Sequence, residues 1–102
     1  RLKKPNDILI REKKVCGILI ETGSINDRID WAILGIGVNL FQKKFPSNLR
    51  RPATSLTLEG MSIGDPLEFC DYVTEELEIL YARLGDGEWG TIQEEYEDES
   101  FR

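Results

Sequence analysis

The segment Lys3-Lys4-Pro5-Asn6-Asp7 brings two ammonium groups, a proline and a carboxylate together just before an apolar run. Pro5 fixes its own φ and disfavours a helical conformation at Lys4, so the charges are held at a defined place. A lysine held in this way can neutralise a phosphate or the negative charge of an acyl phosphate. A plain turn is the structural alternative, and the stronger one on physical grounds alone, because Pro-Asn-Asp is common turn chemistry.

A second segment, Gly35-Ile36-Gly37-Val38-Asn39, places two glycines on one face of a predicted strand. The bare backbone there suits a flat ligand such as a purine, and the Asn39 side chain offers an adenine edge both a donor and an acceptor. The segment is not a dinucleotide fingerprint, because Leu40 stands where the third glycine would be and no helix follows. Close packing of the strand against a helix is the structural alternative.

A third segment, from Cys16 to Glu21, is an apolar strand with a gap at Gly17. Cys16 is predicted to be a small buried side chain rather than a nucleophile, because the chain has no histidine and no cluster of cations nearby to activate it. The lack of histidine, with only two distant cysteines, also excludes His-based catalysis and zinc sites built on His or Cys. The hydroxyls of Thr54 and Ser55 are predicted to cap a turn.

The charges are divided along the chain, which has 102 residues and a net charge of −6. Residues 1–58 carry 11 Lys/Arg and 5 Asp/Glu, whereas residues 59–102 carry 2 and 14. The acidic part argues against nucleic acid as a partner of this segment. The basic part suits an anion, either a phosphate or an acidic protein, and solvated charged faces are the equally strong alternative.

The length fits one domain at most. The longest apolar stretch, residues 31–41, is too short to cross a bilayer, which needs about 20 residues, so no membrane partner is expected. The two isolated cysteines favour a reducing, cytoplasmic setting. The chain opens on Arg1 rather than Met, and we expect it to be a piece of a longer protein.

The predicted fold class is α/β (α+β), a small antiparallel or mixed sheet with packed helices. Strands are expected within 7–41: a hairpin over 7–21 with a polar turn at 11–14, a turn cluster at 22–27 and a third strand over 31–38. The connections are short, so the strands should form an antiparallel meander. Their continuous apolar runs predict strands covered on both faces, or a sheet edge that docks on something.

Helices are expected within 65–99. Asp65 is the predicted N-cap, with Pro66 at the first helical position, and residues 85–87 end the helix. Its apolar face consists of residues at helical spacing: Phe69, Val73, Leu77, Leu80 and Leu84. A second helix over 88–99 should turn three side chains inward: Trp89, Ile92 and Tyr96.

Taken in order, these segments resemble the biotin protein ligase family, the biotin–[acetyl-CoA-carboxylase] ligases. The family pattern runs Lys-Trp-Pro-Asn-Asp, Gly-Ile-Leu-x-Glu, Gly-x-Gly-x-Asn and Ala-Thr-Ser-Leu. The matching residues are Lys3, Pro5, Asn6 and Asp7; Gly17, Ile18, Leu19 and Glu21; Gly35, Gly37 and Asn39; and residues 53–56. Each motif is weak alone, but four in order at family-like spacing cover nearly the whole chain. Lys4 departs from the pattern, because the family has tryptophan there.

The resemblance implies a class II synthetase-like catalytic domain, of which residues 1–102 would be the C-terminal portion. The arginine-rich loop upstream and the β-barrel domain downstream would lie outside these residues. The implied reaction is ligation in two steps: biotin and ATP give biotinyl-AMP, and the biotinyl group then passes to a lysine of a biotin carboxyl carrier domain. The implied cofactors and substrates are ATP, biotin and Mg²⁺.

The resemblance also assigns roles to individual residues. Lys3 is the implied catalytic residue, since it matches the lysine that contacts biotin and the adenylate linkage. The implied biotin-binding residues are Lys3, Ile8, Gly17, Ile18 and Leu19. The implied nucleotide-binding residues are Asn6, Gly37 and Asn39. Asp7 matches a position near the phosphates and Mg²⁺, and a structural role for it is equally open.

Two other functions stay open at this point. The chain could be a non-catalytic or split-partner subunit that completes a ligase site or binds the carrier through its basic part. It could also keep the fold but transfer lipoate or octanoate, although the residues of the Lys-x-Pro-Asn-Asp and Gly-x-Gly-x-Asn motifs favour biotin. The apolar strands are compatible with a homodimer formed through the sheet.

Overall fold

The computed structural model describes residues 1–100, in which an antiparallel sheet of four strands precedes two helices. The elements in chain order are β1 Leu2–Lys3, β2 Asp7–Ile10, β3 Lys13–Ile25, β4 Arg28–Val38, α1 Pro66–Gly85 and α2 Trp89–Ser100. Neighbouring strands are consecutive in sequence, so the sheet is the predicted meander. The α+β fold class is therefore confirmed, while the predicted domain of 1–102 includes two residues outside the described range.

The turns of the two hairpins, β2–β3 and β3–β4, are shorter than predicted. The turn at 11–14 shrinks to Arg11 and Glu12, and the turn cluster at 22–27 shrinks to Asn26 and Asp27. All four residues have positive φ, between 49° and 64°, the backbone of a two-residue turn that matches the twist of its strands. The strand prediction missed β1, which pairs with β2 ahead of residue 7. It also began the third strand at residue 31, whereas β4 begins at Arg28 and ends at Val38, the predicted end.

Gly23 explains why the second turn was misplaced. It lies within β3, directly opposite Trp31 on β4, rather than in a turn. The Trp31 ring covers the Gly23 backbone and occupies the space in which a side chain would lie. The glycine that suggests a turn in the sequence thus makes room for an aromatic ring from the opposite strand.

A small apolar core lies at one end of the β3–β4 hairpin. Val15, Cys16 and Leu56 are buried, and partly buried side chains pack around them: Ile8, Ile10, Ile18, Ile36, Val38, Leu40, Ile63 and Phe69. Cys16 is therefore the predicted buried hydrophobe, and burial raises the pKa of its thiol. Helix α1 lies over this apolar face, across a cleft of about 290 Å³ between β4 and its own Phe69, Val73 and Leu77.

The two ends of this hairpin differ in coverage. We call residues 13–18 and 35–38 its base and residues 19–34 its tip. The base carries the core, whereas large apolar side chains of the tip are exposed: Leu19, Ile20, Ile25, Ile29, Trp31, Ile33 and Leu34. The expectation of strands covered on both faces is wrong for the tip, within the part of the chain that the structure describes.

The predicted helix ends are confirmed, and the predicted apolar faces are confirmed in part. Asp65 caps α1, since its Oδ1 accepts from the Leu67 N–H at 2.9 Å, and the helix ends at Gly85 as predicted. Leu80 and Leu84 are exposed, so only the first half of the predicted stripe faces the sheet. Trp89 is also 59% exposed, because α2 meets the sheet at β1 through the turns around Tyr96, beyond its first turn.

Candidate functional site

The strand register joins three separate motifs into one row across the sheet. Lys3 lies opposite Asp7, Asp7 opposite Gly17, and Gly17 opposite Gly37. Directly opposed residues share a face, and side chains alternate between faces along a strand. The row therefore lies on the face of the sheet that points away from α1. We call it the glycine face.

The glycines leave an open backbone surface on this face. Added Cβ atoms at Gly35 and Gly37 would meet only backbone oxygens, at 3.6 and 3.9 Å. Because α1 packs on the other face, close strand–helix packing does not explain these two glycines. They form the floor of an open pocket of about 430 Å³, the glycine pocket, whose other walls include Asn6, Lys14 and Leu19.

A second pocket of about 320 Å³ adjoins the first. We call it the Lys3 pocket, and its lining is Leu2, Lys3, Pro5, Asn6, Asp7, Ile8, Ile18, Leu19, Ile20 and Tyr96. Asn6, Ile18 and Leu19 belong to both pockets. The Asn6 carbonyl accepts from the Ile18 N–H at 2.9 Å, which ties the turn before β2 to β3 at the point where the pockets meet.

Most of the predicted site residues meet at these two pockets. The Lys3 pocket gathers four of the five predicted biotin-binding residues, namely Lys3, Ile8, Ile18 and Leu19, and the fifth, Gly17, lies in the glycine pocket. Of the predicted nucleotide-binding residues, Asn6 and Gly37 line the glycine pocket. An apolar pocket with one ammonium group beside a flat backbone surface suits an apolar carboxylic acid next to a planar ring.

Asn39 stands apart from the residues lining either pocket. It is half-buried at the end of β4, and its Nδ2 donates to the Thr54 carbonyl at 3.1 Å. Its backbone N–H donates to the Val15 carbonyl at 2.8 Å, and its carbonyl accepts from the Leu56 N–H at 2.9 Å. The side chain thus braces the segment that follows β4, and its role toward adenine stays a prediction.

Sequence reasoning missed Lys14, which it assigned to a turn. Strict alternation would put Lys14 on the same face as Cys16, but a β-bulge shifts the register between Ile8 and Leu9. Lys14 therefore lies opposite Leu9 and on the glycine face. Its Nζ is 3.1 Å from Asp7 Oδ1, and a Cβ added at Gly17 would lie 3.1 Å from both Lys14 Cε and Nζ. A bulge leaves no clear signal in a single sequence, so this contact could not be predicted.

The surroundings of Asp7 do not favour the predicted Mg²⁺ site. Its side chain is 17% exposed and paired with Lys14. Among residues 1–100 no group of three or more His, Cys, Asp or Glu side chains is arranged to hold a metal ion. Because one carboxylate paired with an ammonium group is a poor cation site, we assign no reaction step to Asp7 as a metal ligand.

The segment after β4 is fixed to the base of the hairpin by its hydroxyl groups. Ser55 Oγ donates to the Gln42 carbonyl at 2.7 Å and accepts from the Leu58 N–H at 3.2 Å, which confirms the turn-capping role predicted for Ser55. The same prediction is wrong for Thr54, whose hydroxyl contacts a side chain instead. Thr54 Oγ1 donates to Glu59 at 2.7 Å, and Arg11 forms an ion pair with the same carboxylate. These two donors, the Thr54 hydroxyl first, hold the pKa of Glu59 below its ordinary value.

The segment that links β4 to the turn at Ser55 is hydrogen-bonded at both ends to neighbouring residues of β3. At its start, Asn39 bonds Val15. At its end, the Lys14 N–H donates to the Pro52 carbonyl and the Thr54 N–H donates to the Lys14 carbonyl, each at 2.9 Å. Ala53 forms a parallel bridge with Lys14 as a result.

Lys4, the departure from the family pattern, turns toward α2. Its Nζ lies 2.6 Å from Glu97 Oε1 and 5.8 Å from the centre of the Tyr96 ring. The hydrogen bond to Glu97 raises the pKa of Lys4. Tyr96 lines the Lys3 pocket, so this contact helps to hold one wall of that pocket, whereas Lys4 itself is not among the lining residues.

Comparison with known proteins supports the resemblance over part of the chain. No protein-family model matches the chain. The bifunctional ligase/repressor BirA of Bacillus spizizenii (strain W23) and that of Bacillus subtilis (strain 168) are each 48% identical to it over 58 residues. The match covers 55% of this chain and 18% of each relative, so the chain spans only a small part of their length.

The identity over the matched part confirms a relationship to the biotin protein ligase family. In residues 1–100, neither helix is both long and apolar enough to span a membrane.

Proposed function

We propose that this chain forms the lysine-bearing part of a biotin protein ligase site. In the proposed reaction, biotin and ATP give biotinyl-AMP, and the biotinyl group passes to a lysine of a biotin carrier domain. The observation that carries the proposal is the row from Lys3 through Asp7 and Gly17 to Gly37. It places an ammonium group, an apolar pocket and a bare backbone surface side by side.

The two pockets suggest how the substrates divide the site. Biotin would lie in the Lys3 pocket against Ile8, Ile18 and Leu19, with its carboxylate toward Lys3. The nucleotide would lie over the glycine pocket, with Asn6 near the phosphates and Asn39 toward the adenine. Biotin would then cover the apolar surface of the Lys3 pocket, and the nucleotide would cover the flat backbone surface of the glycine pocket.

In the first step, a carboxylate oxygen of biotin would attack the α-phosphorus of ATP, and the bond to the bridging oxygen of pyrophosphate would break. Lys3 would offset the negative charge that accumulates where the carboxylate and the phosphate meet. In the second step, the neutral amine of the carrier lysine would attack the acyl carbon, the bond from that carbon to the AMP oxygen would break, and the nitrogen would release a proton to solvent as the amide forms. Mg²⁺ would enter with ATP and offset its phosphate charge.

The chain would form the second half of a catalytic domain and would act in the cytoplasm, where ATP is supplied. The partner is the biotin carrier domain.

A subunit without turnover of its own is the second candidate. Both pockets are open, and the tip of the hairpin exposes apolar side chains within the described part of the chain. Such a chain would complete a site supplied by another chain, and it would bind the adenylate only together with that chain.

Calorimetric titration of a non-hydrolysable biotinyl-adenylate analogue tests the proposal. The analogue is titrated into this chain alone and into its mixture with a recombinant upstream segment that carries the arginine-rich loop. We expect binding by the mixture, and release of pyrophosphate when biotin and ATP are supplied. Lys3→Ala should lower the rate of pyrophosphate release about 10²–10³-fold, as removal of one charge-stabilising donor does in other enzymes.

Lys13→Ala is the matched control, because Lys13 is exposed at the start of β3 and lines neither pocket. Its pyrophosphate release should equal that of the unchanged protein. Full adenylation by the Lys3→Ala variant would overturn the role of Lys3. Binding of the analogue without pyrophosphate release would favour the second candidate.

A further inference from the structure

We propose that Tyr96 is a specificity-determining residue of the Lys3 pocket, that it favours an acid with a compact ring over a linear acid, and that ion pairs on either side of it hold it in place. The inference rests on the proposed function and adds a residue that no motif assigns. The motifs lie on the sheet and on the segments connected to it, whereas Tyr96 lies on α2.

Tyr96 adds a wall to the Lys3 pocket from outside the sheet. Among the described residues that line this pocket, it is the one that does not come from β1, β2, β3 or the turn between β1 and β2. The pocket has a volume of about 320 Å³, and small-molecule sites range from about 300 to 1,000 Å³. In a pocket at the small end of this range, one aromatic side chain strongly affects the room that is left for the acyl group.

Two ion pairs hold α2 on either side of Tyr96. Glu95 accepts from both terminal nitrogens of Arg83 on α1, at 2.9 and 3.1 Å. Glu97 lies 2.6 Å from the Nζ of Lys4, in the turn between β1 and β2. Consecutive residues of an α-helix project about 100° apart, so the two carboxylates flank the direction of Tyr96. The pairs therefore limit rotation of the helix about its axis and keep Tyr96 turned toward the pocket.

Lys4 also contacts the ring of Tyr96. Its Nζ lies 5.8 Å from the ring centre, within the distance of about 6 Å for a cation–π contact. The ring thus offers the pocket an aromatic surface of fixed orientation. The fused ring of biotin is rigid and can pack against this surface at little cost in entropy, whereas a linear acyl chain loses rotational freedom when it does so. Tyr96 should therefore stabilise a bound ring acid more than a linear one.

The test uses two probes on the mixture of this chain and the upstream segment. One is the uncleavable phosphodiester of biotinol and AMP, and the other is the phosphodiester of octanol and AMP. The two share the AMP part, so the difference between their calorimetric affinities isolates the acyl pocket. Tyr96→Ala should weaken binding of the biotinol probe about tenfold or more, as the loss of an apolar contact in a pocket does, and that of the octanol probe less than about twofold.

Two further variants serve as controls for Tyr96→Ala. Tyr96→Phe keeps the ring and should retain the affinity for both probes. Tyr72→Ala removes an exposed tyrosine of α1 that lines neither pocket, and it should bind both probes as the unchanged protein does.

The ion pair of Lys4 is tested by reversing its charges. Lys4→Glu places a like charge beside Glu97 and should weaken binding of the biotinol probe about two- to fivefold, the range for an exposed ion pair, with the octanol probe unchanged. The double variant Lys4→Glu/Glu97→Lys should restore the affinity, because it rebuilds the pair with its charges exchanged. Equal changes for both probes would show an effect on AMP binding, and no change would show that the pair is dispensable. Either result would overturn the positioning role of Lys4.

The remaining outcomes separate this inference from the proposed function. Equal weakening of both probes by Tyr96→Ala would show that Tyr96 only supports the fold, and unchanged affinities would show that it does not contact the acyl group. Either result would overturn the inference and leave the function intact. If the unchanged mixture binds neither probe, or binds the octanol probe more tightly, the proposed function fails, and the inference fails with it.

Discussion

The base and the tip of the β3–β4 hairpin are built from similar apolar residues and have different surroundings. At the base, Val15 and Cys16 are buried beneath Leu56 and Phe69. At the tip, Ile20 and Ile29 project from the same two strands and are exposed. The comparison shows that apolar content and β-branching determine that a segment becomes a strand. Whether the strand is covered depends on what the rest of the chain can place over it.

The candidate site lies where these two regions meet. Ile18 belongs to the base and Leu19 to the tip, and both line the two pockets. The base positions the row of opposed residues, while the uncovered start of the tip leaves room for a ligand. A site at this boundary combines a fixed frame with an open surface.

The strongest test of the comparison is removal of a side chain at the base. Leu56→Ala should lower the free energy of unfolding by about 2–5 kcal/mol, because it leaves a cavity in the small core. Leu67→Ala is the matched control on α1, where the leucine is 71% exposed, and it should change stability by less than about 0.5 kcal/mol. Urea unfolding followed by circular dichroism measures both. Equal losses in the two variants would contradict the placement of the core.

A second test concerns the ionic and hydroxyl contacts that hold the base. The pKa of Glu59 is lower in the folded protein than in the unfolded chain, so its charged form stabilises the fold. This contribution is fully present above the ordinary glutamate pKa of about 4.3 and is lost as the pH falls through the lower, folded value.

We therefore expect Glu59→Gln to be less stable than the unchanged chain at neutral pH, with a difference that shrinks as the pH falls toward about 3. Unfolding free energies measured across this range give the difference directly. Glu75→Gln serves as the control, because Glu75 is an exposed glutamate on α1. A difference that stays constant with pH would show that Glu59 acts through packing rather than through its charge.

The smallest effect is expected at the tip. Ile29 is 70% exposed, and Ile29→Thr keeps a β-branched side chain in the strand, so stability should change by less than about 0.5 kcal/mol. The same urea experiment measures it, at two protein concentrations. A loss as large as that of Leu56→Ala, and dependent on concentration, would show that a second copy of the chain covers the tip in solution.

The sequence predicted the features that depend on local chemistry. The side chain of Asp65 accepts from a free N–H at the start of α1, and the helix ends at Gly85. Both features depend on only a few neighbouring residues, so the sequence is enough to predict them. The residues that the motifs assign to biotin and the nucleotide lie together at the two pockets, except Asn39, and their binding roles stay predictions. The exposure of Trp89 and the position of Lys14 could not be predicted in this way. The first depends on where α2 meets the sheet, and the second on one extra residue in β3.

The parallel bridge between Lys14 and Ala53 has a consequence for how this chain can change in length. The segment from Asn39 to Thr54 begins and ends on adjacent residues of β3, so the sheet already holds its two ends together. The entropy of closing such a loop grows only with the logarithm of its length, and doubling it costs roughly 0.6 kcal/mol. Insertions between these two attachment points would therefore leave the bulge, the glycine face and both pockets where they are.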